Sequence, residues 1–336
     1  MSSRPPIRSE WVAPEWIAVD WGTSHLRAFA MQGGEVLAAA ASSDGMGGLT
    51  PEAFEPALLA LIGPWLGGAG EAPTEVRAGA PFVGGEPANA PLVPGTESGA
   101  PMLVFACGMV GAKQGWHEAP YRTVPCAPVA VDSTVTVPCR DPRLRVEIVP
   151  GLSALEPADV MRGEETQIAG FLSLEPEFHG LVLLPGTHSK HVTIADGQVQ
   201  AFRTLMTGEL FALLSQRSVL RHTVATGGWS QTAFDEGVSR GLRGLALQSL
   251  FALRAESLVD SLSAQEARAR LSGLLIGAEI AEIASGSDVV LIGDPELSSL
   301  YAEALRLAGI KPRVVDGGDL VRLGLTRLWK GSLNRP

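Results

Sequence analysis

The sequence predicts an α/β fold in which one phosphate-binding arrangement occurs twice. Short apolar strands end in polar Gly-Thr turns after Asp20 and after Pro185. Each turn is followed by a returning strand, and helical patterns come later in each half. Because 336 residues exceed one ordinary compact core, we expect two domains, 1–160 and 161–336.

The first half begins with a β-hairpin pattern and continues into a helix. Apolar runs predict strands over 17–20, 26–31 and 35–41. Thr50-Pro51 favours a helix start, and apolar spacing extends that helix over 52–66. The stretch 67–101 is rich in Gly, Pro, Ala and Glu without periodicity. We interpret it as a long loop or insertion.

The remaining elements alternate between short strands and helices. The turn Asp196-Gly197 predicts a second hairpin. Further strands are predicted over 102–106, 147–149, 181–184, 192–194, 199–202, 289–292 and 313–315. Helices are predicted over 159–174, most of 210–283, 296–308 and 320–329.

Composition excludes several classes of protein. A net charge of -10 and a pI near 5.2 argue against nucleic-acid binding, and an anionic ligand would need local positive groups. Three cysteines give neither a disulfide framework nor a metal motif. The polar N-terminal segment does not resemble a signal peptide, and we find no membrane-spanning run. We therefore expect a cytoplasmic protein with no membrane partner.

The first Gly-Thr turn is a candidate phosphate site. Gly22 lets the backbone approach a phosphate, and the amides and hydroxyls of Thr23 and Ser24 can donate to it. The carboxylate of Asp20, at the end of the strand, can hold Mg²⁺ through water. A plain hairpin turn would give the same pattern.

The second turn has the same pattern with a lysine added. Its residues are Gly186, Thr187, His188, Ser189 and Lys190. Two such turns facing each other would clamp a triphosphate, so the pair is more specific than either turn. A third segment, Gly293-Asp294, joins a buried strand to a helix and could bind the nucleoside, although many α/β connections look alike.

Two further segments could provide catalytic and substrate-binding groups. Glu164 and Glu165 precede the second hairpin; they are either helix-capping carboxylates or include the base that a kinase needs. Small anions could bind a glycine-rich loop, which could equally be a plain surface loop. The candidate substrate residues are Gly108, Met109, Val110, Gly111, Lys113, Trp116, Arg122 and Arg162.

In this order the motifs resemble those of the actin, sugar-kinase and heat-shock-chaperone superfamily. The closer resemblance is to the 2-dehydro-3-deoxygalactonokinases, and it runs from about Ile17 to Leu325. The longest sequence motifs shared with that family are Met-Arg-Gly-Glu-Glu-Thr-Gln from Met161 and Met-Thr-Gly-Glu-Leu from Met206. Shorter ones are Asp20-Trp21-Gly22, Gly108 to Gly111, Ile148 to Leu152, Pro185 to Lys190 and Leu271 to Glu279.

The resemblance implies a two-lobed, actin-like (ribonuclease H-like) fold and an ATP- and Mg²⁺-dependent kinase. Its implied reaction transfers the γ-phosphate to the terminal hydroxyl of 2-dehydro-3-deoxy-D-galactonate in galactonate breakdown. It also points to Glu165 as the base, with Glu164 as the close alternative. The stretch 67–101 is longer than the family leads us to expect.

Two other functions stay open at this point. The chain could phosphorylate another small sugar acid, or it could be a non-catalytic nucleotide switch on the same fold. Adjacent carboxylates and a substrate-type loop argue against the switch. The sequence leaves open which of Lys113, Arg122 and Arg162 would seat a substrate carboxylate, and whether the protein forms a homodimer.

Overall fold

Two β-sheets of similar construction form the framework of the protein, whose computed structural model describes residues 12–66 and 100–334. The strands are β1 (Trp16–Trp21), β2 (Leu26–Gln32), β3 (Glu35–Ser42), β4 (Met102–Gly108), β5 (Arg122–Thr123), β6 (Val135–Val137), β7 (Leu144–Ile148), β8 (Leu152–Leu155), β9 (Ala158–Met161), β10 (Gly180–Leu184), β11 (Ser189–Ala195), β12 (Gln198–Leu205), β13 (Val289–Gly293) and β14 (Arg313–Asp316). The first sheet has the order β3-β2-β1-β4-β7-β6 and the second β12-β11-β10-β13-β14. The short strands β5, β8 and β9 form a third.

The two large sheets share one topology. In the first, β1, β2 and β3 are antiparallel neighbours, and β4 and then β7 continue parallel to β1. In the second, β10, β11 and β12 are antiparallel, and β13 and β14 continue parallel to β10. The predicted duplication of the hairpin is therefore present, and the first turn of each sheet lies at the same place in its topology.

The helices of the described part are α1 (Phe54–Ile62), α2 (Glu164–Leu174), α3 (Thr207–Arg217), α4 (Gln231–Leu242), α5 (Ala246–Val259), α6 (Ala264–Ile280), α7 (Pro295–Leu307) and α8 (Leu320–Ser332). Helices α4 and α6 cross in close contact because both present glycines. A Cβ on Gly273 would lie 2.2 Å from the carbonyl oxygen of Phe234, and one on Gly237 2.4 Å from that of Arg270. Larger residues would push the two helices apart.

Helices α2 and α8 pack more closely still. A Cβ on Gly170 would lie 1.9 Å from the carbonyl oxygen of Leu320. On the facing helix, a Cβ on Gly324 would lie 2.0 Å from the carbonyl oxygen of Thr166. Only glycine fits at either position, because backbone atoms cannot give way as a flexible side chain would.

Helix α8 also completes the core on one face of the first sheet. Its Leu325 and Leu328 are buried in one cluster with Trp16 of β1 and Phe105 of β4. Trp329 stacks on Trp16 with ring centroids 5.6 Å apart. The last helix of the chain therefore packs against its first strand.

Most predicted elements are present with small shifts of their ends, but the helix predicted over 159–174 is partly wrong. Residues 158–161 form β9, and α2 begins only at Glu164. Gly163, with φ +107°, separates the two elements. The strand pairs antiparallel with β8 across the turn at Glu156-Pro157. The Asp159 side chain also accepts hydrogen bonds from the backbone N–H and hydroxyl of Thr204 on β12, at 2.5 and 2.7 Å.

The other differences are smaller. The helix predicted over 52–66 is α-helical only in α1, with a short 3₁₀ turn at either end. The three cysteines are free thiols, as expected. Of the predicted insertion over 67–101, residues 67–99 lie outside the described residues, as do residues 1–11 of the N-terminal segment.

Candidate active site

The first Gly-Thr turn is held by a glycine-rich loop behind it. The carbonyl oxygen of Gly22 accepts from the N–H of Met46 at 3.0 Å, and that of Thr23 accepts from Gly47 at 2.9 Å. A Cβ on Gly45 would lie 2.3 Å from the Thr23 carbonyl oxygen. The side chains of Thr23 and Ser24 remain exposed at the tip. The turn therefore has a fixed backbone and free donor groups.

Asp20 lies at the base of this turn and is already paired. Its carboxylate accepts from Nε of Arg27, across the hairpin on β2, at 3.1 Å and forms an ion pair with the same guanidinium. On its other side, Asp20 lies opposite Cys107 of β4. The predicted magnesium carboxylate thus has a cationic neighbour.

The second turn contacts the first residues of α3. The backbone N–H of Glu209 donates to the carbonyl oxygen of Thr187 at 3.0 Å, and His188 contacts the Glu209 carboxylate at 2.5 Å. A Cβ on Gly208 would lie 2.4 Å from the carbonyl oxygen of Gly186. Thr187 and His188 are exposed at this tip.

Ser189, by contrast, faces inward. It is buried, and its hydroxyl lies 2.9 Å from the hydroxyl of Tyr301 on α7. Tyr301 in turn donates to Glu279 of α6 at 2.6 Å, and Glu279 also binds His191 at 2.9 Å. This buried network ties the second hairpin to α6 and α7.

The two adjacent carboxylates of α2 have different surroundings. Glu164 retains 26% exposure of its side chain, and its carboxylate lies 3.1 Å from Nζ of Lys190. Lys190 is 5% exposed in its side chain and donates to the carbonyl oxygen of His188 at 3.0 Å. One ammonium group therefore links the second turn to the beginning of α2.

Glu165 is completely buried. Its carboxylate accepts from the backbone N–H of Gly163 at 2.6 Å and from the hydroxyl of Thr166 at 2.9 Å. Burial, and then the neighbouring charge of Glu164, raise the pKa of Glu165 from 4.5 to about 7. Burial, and then the charges of Asp20 and Glu165, likewise raise the pKa of the Cys107 thiol.

Two glycines with positive φ bring these segments together. Gly108, at the end of β4, has φ +88°, and a Cβ there would lie 2.8 Å from the carbonyl oxygen of Trp21. A Cβ on Gly163 would lie 3.6 Å from the Cα of Gly108. Glycine is required at Gly108, because a side chain would collide with β1 and strain the backbone. The end of β1, the end of β4 and the beginning of α2 consequently meet at one place.

Arg162, another candidate substrate residue, directly precedes Gly163 in the chain. Its Nη2 donates to the carbonyl oxygen of Ala119 at 2.7 Å, and its guanidinium carbon lies 4.4 Å from the ring centroid of Tyr121. Its Nε and Nη1 are buried without a hydrogen-bond partner among the described residues. The guanidinium fits only because Gly111 has no side chain, since a Cβ there would lie 2.7 Å from Nη1.

The other candidate substrate residues lie in different settings. Trp116 packs on Phe54 and Trp21 of the first core, at 6.3 and 6.1 Å between centroids. Arg122 donates to the carbonyl oxygen of Ala127 at 2.8 Å. Lys113 is exposed. Met109 is half-buried, and Val110 and Gly111 are buried.

A pocket of about 250 Å³ opens beside the second turn. It extends from Gly186 to Asp294, the N-cap of α7, whose carboxylate accepts from the backbone N–H groups of Glu296 and Leu297 at 2.9 and 3.1 Å. Its apolar walls are Phe211, Trp229, Leu275, Ile276, Leu297 and Leu300. Arg268 lies over the Phe211 ring at 5.2 Å.

The nucleotide-binding residues predicted from the sequence include both ends of this pocket, Gly186 and Asp294, but none of the side chains that form its apolar walls. Asp294 lines the pocket, whereas Gly293 only ends the strand before it. Arg268 and Trp229 gave no motif, because one lies on α6 and the other in the loop before α4, and only the fold brings them together. The motif Leu271 to Glu279 identified part of α6, but the spacing of its residues did not show which of them face the pocket.

Comparison with known proteins shows the family of this chain. The model of the 2-keto-3-deoxy-galactonokinase family matches residues 20–84 and 86–328. The chain belongs to this family. A Rhizobium meliloti relative, a probable 2-dehydro-3-deoxygalactonokinase, is 37% identical over 327 residues, covering 93% of this chain and 95% of its own length. The Escherichia coli 2-dehydro-3-deoxygalactonokinase is 31% identical and covers 95% of this chain and 99% of its own.

The same family is represented among solved structures. A Sinorhizobium meliloti crystal structure described as a 2-dehydro-3-deoxygalactonokinase superposes with a TM-score of 0.80 at 34% identity, covering 95% of this chain and all of its own. The predicted family and fold class, an α/β actin-like kinase fold, are confirmed. No helix within residues 12–66 and 100–334 combines the length and apolar character needed to cross a membrane.

The raised pKa of Glu165 predicts a pH-dependent stability. Between its ordinary value of 4.5 and about 7, the folded protein binds this proton more tightly than the unfolded chain. Stability should therefore fall as pH rises through this window, by on the order of 3 kcal/mol. Glu165→Gln should remove that fall, as measured by urea unfolding at pH 5 and pH 8.

The difference between wild type and variant isolates Glu165, because every other titrating group is common to both proteins. Glu118→Gln, on an exposed residue of the loop after β4, should keep the wild-type fall. An equal fall in wild type and Glu165→Gln would contradict the burial of a titrating carboxyl group at this position.

Proposed function

We propose that this protein is an ATP-dependent kinase that phosphorylates the terminal hydroxyl of 2-dehydro-3-deoxy-D-galactonate. Its membership of the 2-keto-3-deoxy-galactonokinase family, with relatives of that name matching over nearly its whole length, carries the proposal. The geometry is consistent with phosphoryl transfer, since the carboxylate pair begins α2 near the ends of β1 and β4, and Lys190 links it to the second turn. Catalysis would rest mainly on positioning and on stabilising charge.

The nucleotide would occupy the pocket beside the second turn. The apolar walls suit a flat base, and the open rim suits a ribose. The exposed donors of Gly22 to Ser24 and of Gly186 to His188 would then bind the phosphates from two sides. Ser189 would support the second turn from inside, because its hydroxyl is held by Tyr301.

Asp20 would be the protein ligand of the magnesium ion. The described residues contain no group of three or more His, Cys, Asp or Glu side chains suited to a metal. A single carboxylate such as that of Asp20 suits Mg²⁺, because this ion keeps several waters and takes one or two carboxylates together with substrate phosphates. The ion would supply charge neutralisation of the phosphates. Arg27 would orient the Asp20 carboxylate, to which it donates.

The structure gives a physical reason to prefer Glu164 over Glu165 as the base. A general base must contact the hydroxyl whose proton it accepts. Glu164 is partly exposed beside Lys190, whereas Glu165 is fully buried and its oxygens bind Gly163 and Thr166. We therefore assign Glu164 the proton transfer and Glu165 the positioning of Gly163 against Gly108.

Arg162 is our candidate for the seat of the substrate carboxylate. No carboxylate of the described chain pairs with its guanidinium, and two of its donors are unsatisfied. Each unsatisfied buried donor costs about 1–3 kcal/mol. We propose that the guanidinium turns from Gly111 toward the substrate, whose carboxylate would satisfy these donors. Its backbone N–H already binds Glu164 at 3.0 Å, so seat and base lie on one segment.

A panel of substrates tests the function. We expect ATP turnover, followed by a coupled assay for ADP, to be stimulated most by 2-dehydro-3-deoxy-D-galactonate. Other small sugar acids should give lower kcat/KM. A higher value for another acid would reassign the substrate within the same kinase class, and no stimulation by any acid would favour the nucleotide-switch alternative.

Glutamine substitutions test the base. Glu164→Gln should lower kcat by about 10²–10⁴-fold and leave KM for the sugar acid nearly unchanged, since it removes proton transfer and not binding of the acid. Glu165→Gln should lower kcat less and should change the pH dependence of stability. Steady-state kinetics of the two purified variants decide between them, and a larger loss in Glu165→Gln would reverse the assignment.

Alanine substitutions test the carboxylate seat. Arg162→Ala should raise KM for the sugar acid at least about tenfold, because a charge-assisted hydrogen bond is lost, and should leave KM for ATP nearly unchanged. Arg122→Ala and Lys113→Ala are matched controls on neighbouring cations. If Arg162→Ala still prefers the acid over the corresponding uncharged sugar as strongly as wild type does, the carboxylate binds elsewhere.

A further inference from the structure

One ion pair in the structure joins the proposed base, Glu164, to Lys190 of the second turn. Nζ of Lys190 lies 3.1 Å from Oε1 of Glu164 and donates to the carbonyl oxygen of His188 at 3.0 Å. The Lys190 side chain is 5% exposed and that of Glu164 is 26% exposed. The pair is therefore largely shielded from solvent, and each charge depends on the other.

The position of Lys190 gives this pair a possible second state. Lys190 is the second residue of β11, directly behind the exposed tip formed by Gly186, Thr187 and His188. A lysine ammonium group carries three donors on a flexible side chain, so it can move to pair with the most highly charged anion within its reach. A γ-phosphate at this tip would bring a multiply charged anion next to the same ammonium group that holds Glu164.

We propose that Lys190 is shared between Glu164 and the γ-phosphate of ATP, so that ATP binding frees the base. This inference rests on the proposed function. Without nucleotide, or with ADP, the ammonium remains on Glu164 and occupies its carboxylate. With ATP, the ammonium moves to the γ-phosphate, and the Glu164 carboxylate becomes available to the substrate hydroxyl.

The transfer step balances with the groups already named. The substrate oxygen forms a bond to the γ-phosphorus as the bond from that phosphorus to the bridging oxygen of ADP breaks. The hydroxyl proton passes to Glu164, and the electron pair of the broken bond leaves with ADP. Lys190 then faces a product phosphate. Once the product is released and Glu164 has lost its proton to solvent, the ammonium returns to the carboxylate.

A purely structural salt bridge between α2 and β11 is the alternative. Such a bridge would affect stability when broken, because a buried charge would lose its partner. It would not distinguish ATP from ADP. Sharing does distinguish them, since only a nucleotide with a γ-phosphate must compete with Glu164 for the ammonium.

Nucleotide binding measured by calorimetry, without sugar acid, separates the two. Glu164→Gln releases Lys190 from its partner. We expect this variant to bind a non-hydrolysable ATP analogue about 3- to 30-fold more tightly than wild type, within the usual range of coupling between contacting residues. Its affinity for ADP should change less than twofold. An equal change for both nucleotides, or no change, would overturn the proposal.

A double-mutant cycle excludes simple repulsion between Glu164 and the phosphate. In a Lys190→Met background, Glu164→Gln should no longer tighten binding of the analogue, because no ammonium remains to be shared. Repulsion alone would persist there, and persistent tightening would contradict sharing. Lys190→Arg keeps the charge and should retain the effect, and Lys311→Met is the control on an exposed lysine.

Two further measurements keep the result interpretable. Circular dichroism and thermal unfolding select variants that are folded, and Lys190→Gln, which also removes the ammonium group, carries the test if Lys190→Met is not folded. Because the binding experiment contains no sugar acid, its outcome is independent of the substrate panel. Failure to phosphorylate any acid would refute the proposed function, whereas loss of the ATP-specific effect would refute only the sharing of Lys190.

Discussion

The close packing of α2 on α8 is the constraint on which the candidate active site depends. Gly170 and Gly324 allow the backbones of the two helices to touch, and no other residue fits at either position. Helix α8 is fixed to the first sheet through Leu325 and Leu328. Helix α2 packs on the second sheet through Ile168 and Phe171. The N-terminus of α2, which carries both carboxylates, is thereby held between the two hairpins.

The sequence predicted the framework well because its signals were local. Turns with Gly or Asp-Gly identified both hairpins, and apolar runs identified the parallel strands β4, β10 and β13. It misassigned Ala158–Met161, which pairs antiparallel with β8 across the turn at Glu156-Pro157 and whose Asp159 also binds Thr204, 45 residues later. Only the contact with Thr204 lies beyond the reach of a local pattern. The glycines of α4 and α6 illustrate the same limit, since their role in helix crossing depends on a partner helix.

The candidate site was predictable in its parts and not in its arrangement. The motifs supplied both turns, the carboxylate pair and the lysine. They could not show that consecutive residues of α2 differ so strongly in exposure, because a helix turns about 100° per residue and only the surrounding fold decides which side is buried. Glu164 therefore contacts Lys190 with part of its side chain exposed, whereas Glu165 is completely buried. The unsatisfied donors of Arg162 were equally invisible, since burial and partners are properties of the folded chain.

The contact between the last helix and the first strand has a consequence for biosynthesis. Trp16 and Phe105 leave the ribosome early, yet the face of the first sheet that they form is covered by residues 320–329. Domains generally fold as units as the chain emerges, N-terminal first. Here the first sheet retains an uncovered apolar surface until residues 320–329 have been synthesised, so it completes its folding late. Until then, the apolar surface formed by Trp16 and Phe105 is uncovered on the growing chain.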